Sequence, residues 1–273
     1  MSIRSITTIY AADKAVDNGD ILLWRALPLP QRYSLGPYVF IDHYSHKGLR
    51  GIGDRPHPHA GIEVISYIID GGVAHRDSFG FKDTINAGDA QWICAGKGII
   101  HAEQPTAPRH GLQLWTSLPP SKKMLDPAYR SYRKEEIPVF EKDGAQIRVI
   151  AGTVDGVKGP LATITENTFA YISLPAHGQL RLTVPAQELG IYVTKGKLAI
   201  GEGQTLGVEG LAILSDGDEV VLQAAEEPVE LALLGGEPAE GPILFDGPFV
   251  MDTVERLQQA YSDYHSGKMG TLQ

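Results

Sequence analysis

Gly51-Ile-Gly-Asp-Arg-Pro-His57-Pro-His59-Ala-Gly-Ile-Glu63 opens a stretch that closes on Ala95-Gly-Lys-Gly-Ile-Ile-His101-Ala-Glu103-Gln104. It carries two pairs of ligand-type residues, His57-x-His59 and His101-x-Glu103, and His101 follows His59 by 42 positions. Successive strand residues point to opposite faces, so residues i and i+2 share one. Each pair therefore offers two donors on one side of a strand, and pairing of the two strands brings four donors to one point. Three imidazoles and a carboxylate suit a borderline transition ion and leave coordination positions open. A lone histidine on an apolar strand is ordinarily a satisfied core or surface residue. Two spaced pairs among glycine-marked strands point instead to metal.

Pro56 and Pro58 flank His57. Proline lacks a ladder N–H and belongs at strand entries and edges, so the first pair is expected where a strand begins. Glu63 to Ile69 reads as a strand, Asp70-Gly-Gly72 as a turn, and Val73 to Arg76 as a strand pairing back. Further turns at Ser78–Gly80 and Asn86–Asp89 lead to strands at Ala90–Cys94, Ile99–Glu103 and His110–Leu118. The expectation is a meander whose outer members carry the ligands. Glu63 shares the ligand parity unless Gly61 is a bulge, so it is placed behind the ligands or in the pocket wall. Ile65, Tyr67 and Ile69 follow the same parity as candidate walls. His43 and His46 stand outside any pair and read as loop residues after a strand near 38–42. Cys94, in an apolar strand, reads as a buried inert thiol.

Residues 119–145 are rich in proline and in charges of both signs, and Leu125–Glu136 reads as a linker with a helical turn. From Gln146 the strand-and-turn rhythm repeats. Setting Gly72 against Gly196 puts Arg181 and Thr183 opposite His57 and His59, and Val220–Leu222 near the second pair. No ligand survives there, and lone His177 does not restore one. The tail differs: Asp252 and Glu255 form a capping-box variant, Val254, Leu257, Tyr261 and Tyr264 recur at helical spacing, and Gly267 offers a C-cap. The expected organisation is a metal-binding barrel over 1–135, a metal-free barrel over 146–240, and a tail over 241–273 whose amphipathic helix packs on the barrels.

Composition agrees with an all-β globular protein. The 273 residues include 31 Gly and 18 Pro, punctuating short β-branched runs. A net charge of −9 argues against direct nucleic-acid or anionic-membrane binding, which needs a basic surface. The single Cys94 excludes an intramolecular disulfide. No apolar run approaches a membrane span or a signal-peptide core. A cytoplasmic monomer is the expectation.

The order His57-Pro-His-Ala-Gly-Ile-Glu63, His75-Arg-Asp-Ser-Phe-Gly80, Ala87-Gly-Asp-Ala-Gln-Trp-Ile-Cys94, His101-Ala-Glu103 and Gly111-Leu-Gln-Leu-Trp115 resembles the pirin family of the cupin superfamily. Gly235-Gly-Glu-Pro238 and Gly247-Pro-Phe-Val-Met251 resemble its C-terminal pattern. The resemblance implies a bicupin, two face-to-face jelly-roll β-barrels with metal in the first alone. It implies metal ligands at His57, His59, His101 and Glu103. It implies one divalent ion per chain, Fe(II) foremost, with Ni, Cu, Co, Mn and Zn as alternatives. It further implies quercetin 2,3-dioxygenase-like chemistry: a flavonol and O2 as substrates, carbon monoxide as a product. Glu103 is then the expected catalytic base for the flavonol 3-hydroxyl, in addition to being a ligand. The rival implication is a non-catalytic, redox-sensing iron protein that binds a protein partner.

Overall fold

The computed structural model describes residues 2–200 and 204–272. Short apolar runs between Gly and Pro turns form strands throughout, and the described residues hold one α-helix, Val254–His265. They divide into two compact units. The first barrel comprises Lys14–Tyr33, Tyr38–Lys134 and the chain from Ala239 onward. The second comprises the chain up to Asp13, Ser34–Pro37 and Glu135–Pro238.

Each barrel is built from a seven-stranded and a four-stranded antiparallel sheet. In the first barrel the large sheet runs Ala128–Tyr132, Ala90–Cys94, Ile62–Asp70, Arg109–Ser117, Tyr38–His46, Ile21–Leu27, Asp13–Asp17. Its small sheet runs His57–His59, Ile99–Pro105, Gly72–Asp77, Lys82–Asn86. In the second barrel the large sheet runs Ile6–Ala11, Gly210–Leu214, Glu188–Lys195, Val229–Gly236, Asn167–Leu174, Ala145–Ala151, Val139–Lys142. Its small sheet runs Gln179–Thr183, Glu219–Ala224, Leu198–Ile200, Gln204–Leu206. The orders correspond strand for strand, so the weak internal repeat is a duplicated jelly roll.

The chain is not a meander through the ligand region. Gly72–Asp77 leaves the sheet of Ile62–Asp70 and pairs with Lys82–Asn86 and Ile99–Pro105 in the small sheet. Gly71 permits this crossing: its φ is +80°, and a Cβ there would collide with the Pro108 carbonyl. Ile6–Ala11 hydrogen-bonds to Gly210–Leu214, so the first strand belongs to the second barrel and not to a contiguous 1–135 unit. Residues 125–136 are more than a linker: they supply the edge strand Ala128–Tyr132, paired with Ala90–Cys94, followed by a turn at 134–136. His43 and His46 lie within the strand Tyr38–His46 rather than in a loop. The helix begins one residue later than expected. Thr253, not Asp252, is its N-cap and accepts from the Arg256 N–H at 3.2 Å, while Asp252 pairs with the Arg256 guanidinium at 2.8 Å.

The two interiors differ in chemistry. The second is a continuous aliphatic core in which Leu180, Leu182, Val220 and Leu222 pack with Ile172, Ile191 and Leu231. Register corrects the repeat alignment by one residue. Leu180 faces Leu222 and Leu182 faces Val220 inside the barrel, whereas Arg181 points outward to Glu219. In the first barrel, apolar residues occupy the two ends. Phe40, Ile62, Val64, Ile93 and Trp115 form one cluster, and Ile68, Val73 and Ile85 form another. Between them the interior is polar.

Candidate metal centre

His57 and His101 are direct cross-strand partners, as are His59 and Ile99. Directly opposed residues of an antiparallel pair share a face, so the three histidines converge inside the first barrel. Ring centroids lie 4.3 Å apart for His57–His101, 4.9 Å for His59–His101 and 5.0 Å for His57–His59. One ring nitrogen of each lies within 4.8 Å of the others. Both nitrogens of His101 are buried without a hydrogen-bond partner, and those of His59 are buried with only a weak contact to the Pro248 backbone. Burial, reinforced by the neighbouring imidazoles, holds both groups well below the ordinary 6.5. They are therefore neutral at pH 7 and present lone pairs. His57 is half-buried, and its Nδ1 lies 2.9 Å from the Arg55 carbonyl. An Nδ1–H donated there leaves Nε2 as the lone-pair nitrogen, the usual state of a ligating histidine.

Glu103 sits apart from His57 and His59. Its Oε1 accepts from Gln91 Nε2, its Oε2 lies 3.5 Å from Gln113 Nε2, and Oε1 is 3.8 Å from His101 Nδ1. The donor set it joins is His75, His101 and Glu103, again within 4.8 Å and fully buried. His75 is the cross-strand partner of Glu103 and was missed at the sequence level. Its signal was present: His75-x-Asp77 has the i, i+2 spacing of the other pairs. Gln91 and Gln113 lie in the quoted stretches Ala87–Cys94 and Gly111–Trp115, but their part as partners of Glu103 enters only through register.

The walls also differ from expectation. Gly61, at φ +77°, separates His57–His59 from Ile62–Asp70, which lie in different sheets, so the inward parity resets. Val64 and Ser66 face inward; Ser66 Oγ accepts from Gln91 Nε2 at 3.2 Å. Ile65, Tyr67 and Ile69 share Glu63's parity and face away. Glu63 accepts from Trp92 Nε1 at 2.9 Å and Thr116 Oγ1 at 3.0 Å on that other face. Cys94 is buried, and burial, with nearby Glu63, pushes its thiol to about 12, so it is inert. The inward wall beside His59 is Trp115, edge-on at 4.9 Å and stacked on Phe40 at 3.9 Å. Arg25 lies over Phe40 at 4.3 Å and pairs with Asp42 through two hydrogen bonds. Burial, opposed by those bonds, leaves Asp42 at about 6.

These residues fit a bound transition ion. Neutral, desolvated imidazoles with unpartnered nitrogens are an unsatisfied arrangement without one and a ligand set with one. Among the described residues, both clusters of three or more such donors lie in the first barrel. The equivalent interior of the second barrel is filled by leucine and valine.

Among the described residues, no helix is long and apolar enough to cross a membrane. A family model described as Pirin matches residues 23–116, and one described as Pirin C-terminal cupin domain matches residues 169–270. Pirin of Homo sapiens is 36% identical over 254 residues, covering 90% of this chain and 87% of that protein. A pirin-like protein of Solanum lycopersicum is 33% identical over 264 residues, covering 94% and 90% respectively. A crystal structure of quercetin 2,3-dioxygenase from Acinetobacter baumannii matches with a TM-score of 0.90 at 28% identity, over 100% of both chains. Duplicated cupin barrels, two family models and relatives matched over nine-tenths of the sequence lead to one assignment: the chain belongs to the pirin family.

Proposed function

We propose that this protein is a metal-dependent dioxygenase that opens the ring of a flavonol with O2 and releases carbon monoxide. One divalent transition ion per chain, Fe(II) foremost, is held by His57, His59 and His101 with Glu103 as the further ligand. Ni, Cu, Co, Mn and Zn are the alternatives, because such donor sets discriminate weakly among them. The observation that carries the reading is three convergent imidazoles, those of His59 and His101 buried and neutral, beside an anchored carboxylate. The likeness to quercetin 2,3-dioxygenase supports the choice of reaction.

When bound, such an ion supplies a Lewis acid that acidifies a chelating hydroxyl and brings substrate and O2 together. Glu103 takes the proton of the flavonol 3-hydroxyl onto a carboxylate oxygen. Gln91 and Gln113 hold that carboxylate from both sides, fixing its position before substrate arrives. The Phe40–Trp115 stack offers a flat apolar face to the substrate rings, and the guanidinium of Arg25 caps Phe40. A reducing cytoplasm suits a ferrous centre and a single buried thiol.

The test is aerobic incubation of quercetin with metal-free protein reloaded with each candidate ion, with carbon monoxide measured directly. Flavonol loss matched by carbon monoxide is the expected result. If no metal-loaded form consumes flavonol, the dioxygenase reading fails and a metal-dependent, partner-binding role takes its place.

A further inference from the structure

The second barrel has an aliphatic interior, but one end of it opens into a cleft of about 840 Å³. That is the size of a small-molecule site, which runs to roughly 300–1,000 Å³. Its walls come from the turn at Gly152, the run Lys158–Thr163, the start of the strand Asn167–Leu174 and the end of the strand Val229–Gly236. All of them belong to the second barrel, so the cleft is separate from the metal centre and from the reaction proposed there.

Asn167 lines the cleft and is only 6% exposed, and its Nδ2 is buried without a hydrogen-bond partner. Buried amide donors ordinarily have an acceptor. The cleft is where an acceptor from outside the chain reaches this one. Lys158, Glu166 and Glu237 are exposed on the rim, and among the described residues none of the three side chains is in an ion pair or a hydrogen bond. An ammonium and two carboxylates thus border one cleft without neutralising each other.

The sheet order places these charges. Asn167–Leu174 lies between Ala145–Ala151 and Val229–Gly236. Lys158 stands on the first flank. The Gly159 N–H beside it donates to the Gly152 carbonyl at 2.9 Å, and Gly152, at φ +70°, approaches Asn167 so closely that a Cβ would strike its carbonyl. The carboxylates stand toward the second flank. Gly236 is the cross-strand partner of Asn167, and the Glu237 N–H donates to the Glu166 carbonyl at 3.2 Å. Neighbouring strands lie about 4.8 Å apart, so the flanks are separated by roughly 10 Å. An extended chain covers about 3.3–3.6 Å per residue, so about three residues bridge them.

We propose that this cleft binds a zwitterionic ligand, a tripeptide-length chain with free termini. Its carboxylate lies at Lys158 and Asn167 Nδ2, and its ammonium lies at Glu166 and Glu237. A single amino acid is too short to reach both, and the two carboxylates exclude a ligand that carries negative charge alone.

Trialanine is the probe, with its N-acetylated and C-amidated forms as controls, titrated calorimetrically into the full-length chain. One trialanine per chain is expected, with weaker binding of both blocked forms. Asn167→Ala removes a hydrogen bond to a charged group and should weaken trialanine by about 10–100-fold. Lys158→Gln removes an exposed charge and should cost about 2–5-fold for trialanine and nothing for the amide. The double variant Glu166→Gln, Glu237→Gln should weaken trialanine and leave the N-acetylated form unchanged. The rim variants are exposed and keep the test open should Asn167→Ala fail to fold by circular dichroism. A parent chain that binds no trialanine overturns the proposal. So does equal affinity for the free and blocked forms, or charge variants that bind trialanine as the parent does. Trialanine binding that requires metal in the first barrel overturns it as well.

Discussion

At the scale of single residues, Glu103 carries the sharpest claim. Its carboxylate is gripped by two amides, and its strand partner is a buried histidine. Glu103→Gln preserves an oxygen donor and removes basicity. The variant should keep its metal, measured by mass spectrometry, and lose turnover by roughly 10²–10⁴-fold, the usual contribution of a general base. A fully loaded variant at near parental rate would leave Glu103 as a ligand only. His59 and His101 make a second prediction, on stability. Burial lowers both folded pKa values below 6.5, so below that pH the unfolded chain binds more protons than the folded one. Metal-free protein should therefore lose stability as pH falls below about 6.5, and His101→Ala should flatten the slope. Denaturant melts between pH 7.5 and 5 check this; a flat profile in the unaltered chain contradicts it. The histidine pairs were legible in the sequence because i, i+2 spacing is a local property. Gln91 and Gln113 were not, because an amide becomes a positioning group only through long-range register.

At the scale of elements, alternation within one strand was readable, but a change of sheet was not. Parity carried across Gly61 put Ile65, Tyr67 and Ile69 in the pocket, while the structure puts Val64 and Ser66 there. The switch point is held by Lys123, fully buried, whose Nζ donates to the Gly61 carbonyl at 2.8 Å, Ser117 Oγ at 2.8 Å and the Val250 carbonyl at 2.9 Å. Desolvation lowers this ammonium from 10.5 to about 8. Between those values the unfolded state binds more protons, so stability should rise with pH across that window, by on the order of 3 kcal/mol. Lys123→Met abolishes that rise. At pH 7 it also removes three hydrogen bonds from a charged donor, at about 1.5–3 kcal/mol each, which outweighs the relief of burying no charge. The variant should thus be less stable at neutral pH and show no gain on alkalinisation. Equal pH slopes for the two proteins in urea melts would remove Lys123 from this role.

Across the whole molecule, one topology is used twice with opposite interiors. The duplication was faintly legible, because turn glycines recur at similar spacing in both halves. The ownership of the terminal segments was not, since a strand's partner is a tertiary choice that local pattern does not record. The tail illustrates the point. It read as a helix laid on both barrels, but within the first barrel Phe249, Met251, Ala260 and Met269 pack with Ala60 and Ile100. Ala60 directly follows His59, and Ile100 directly precedes His101. The Val250 N–H donates to the Ala60 carbonyl at 3.1 Å, and Ser78 Oγ donates to the Met269 carbonyl at 2.6 Å. The tail therefore braces both histidine-bearing strands from behind. Ending the chain after Met251 removes Ala260, Met269 and the edge-on contact of Tyr261 with Phe249, at 4.9 Å between ring centroids. Burying one large apolar side chain stabilises by about 1.5–3 kcal/mol, a large share of a typical 5–15 kcal/mol total. The truncated chain should melt several degrees lower. Because the brace lies against the ligand strands, it should also bind Co(II) more weakly than the full chain at a temperature where both are folded. A truncation that lowers the melting temperature but leaves Co(II) affinity unchanged would show that the tail supports the fold without positioning the site.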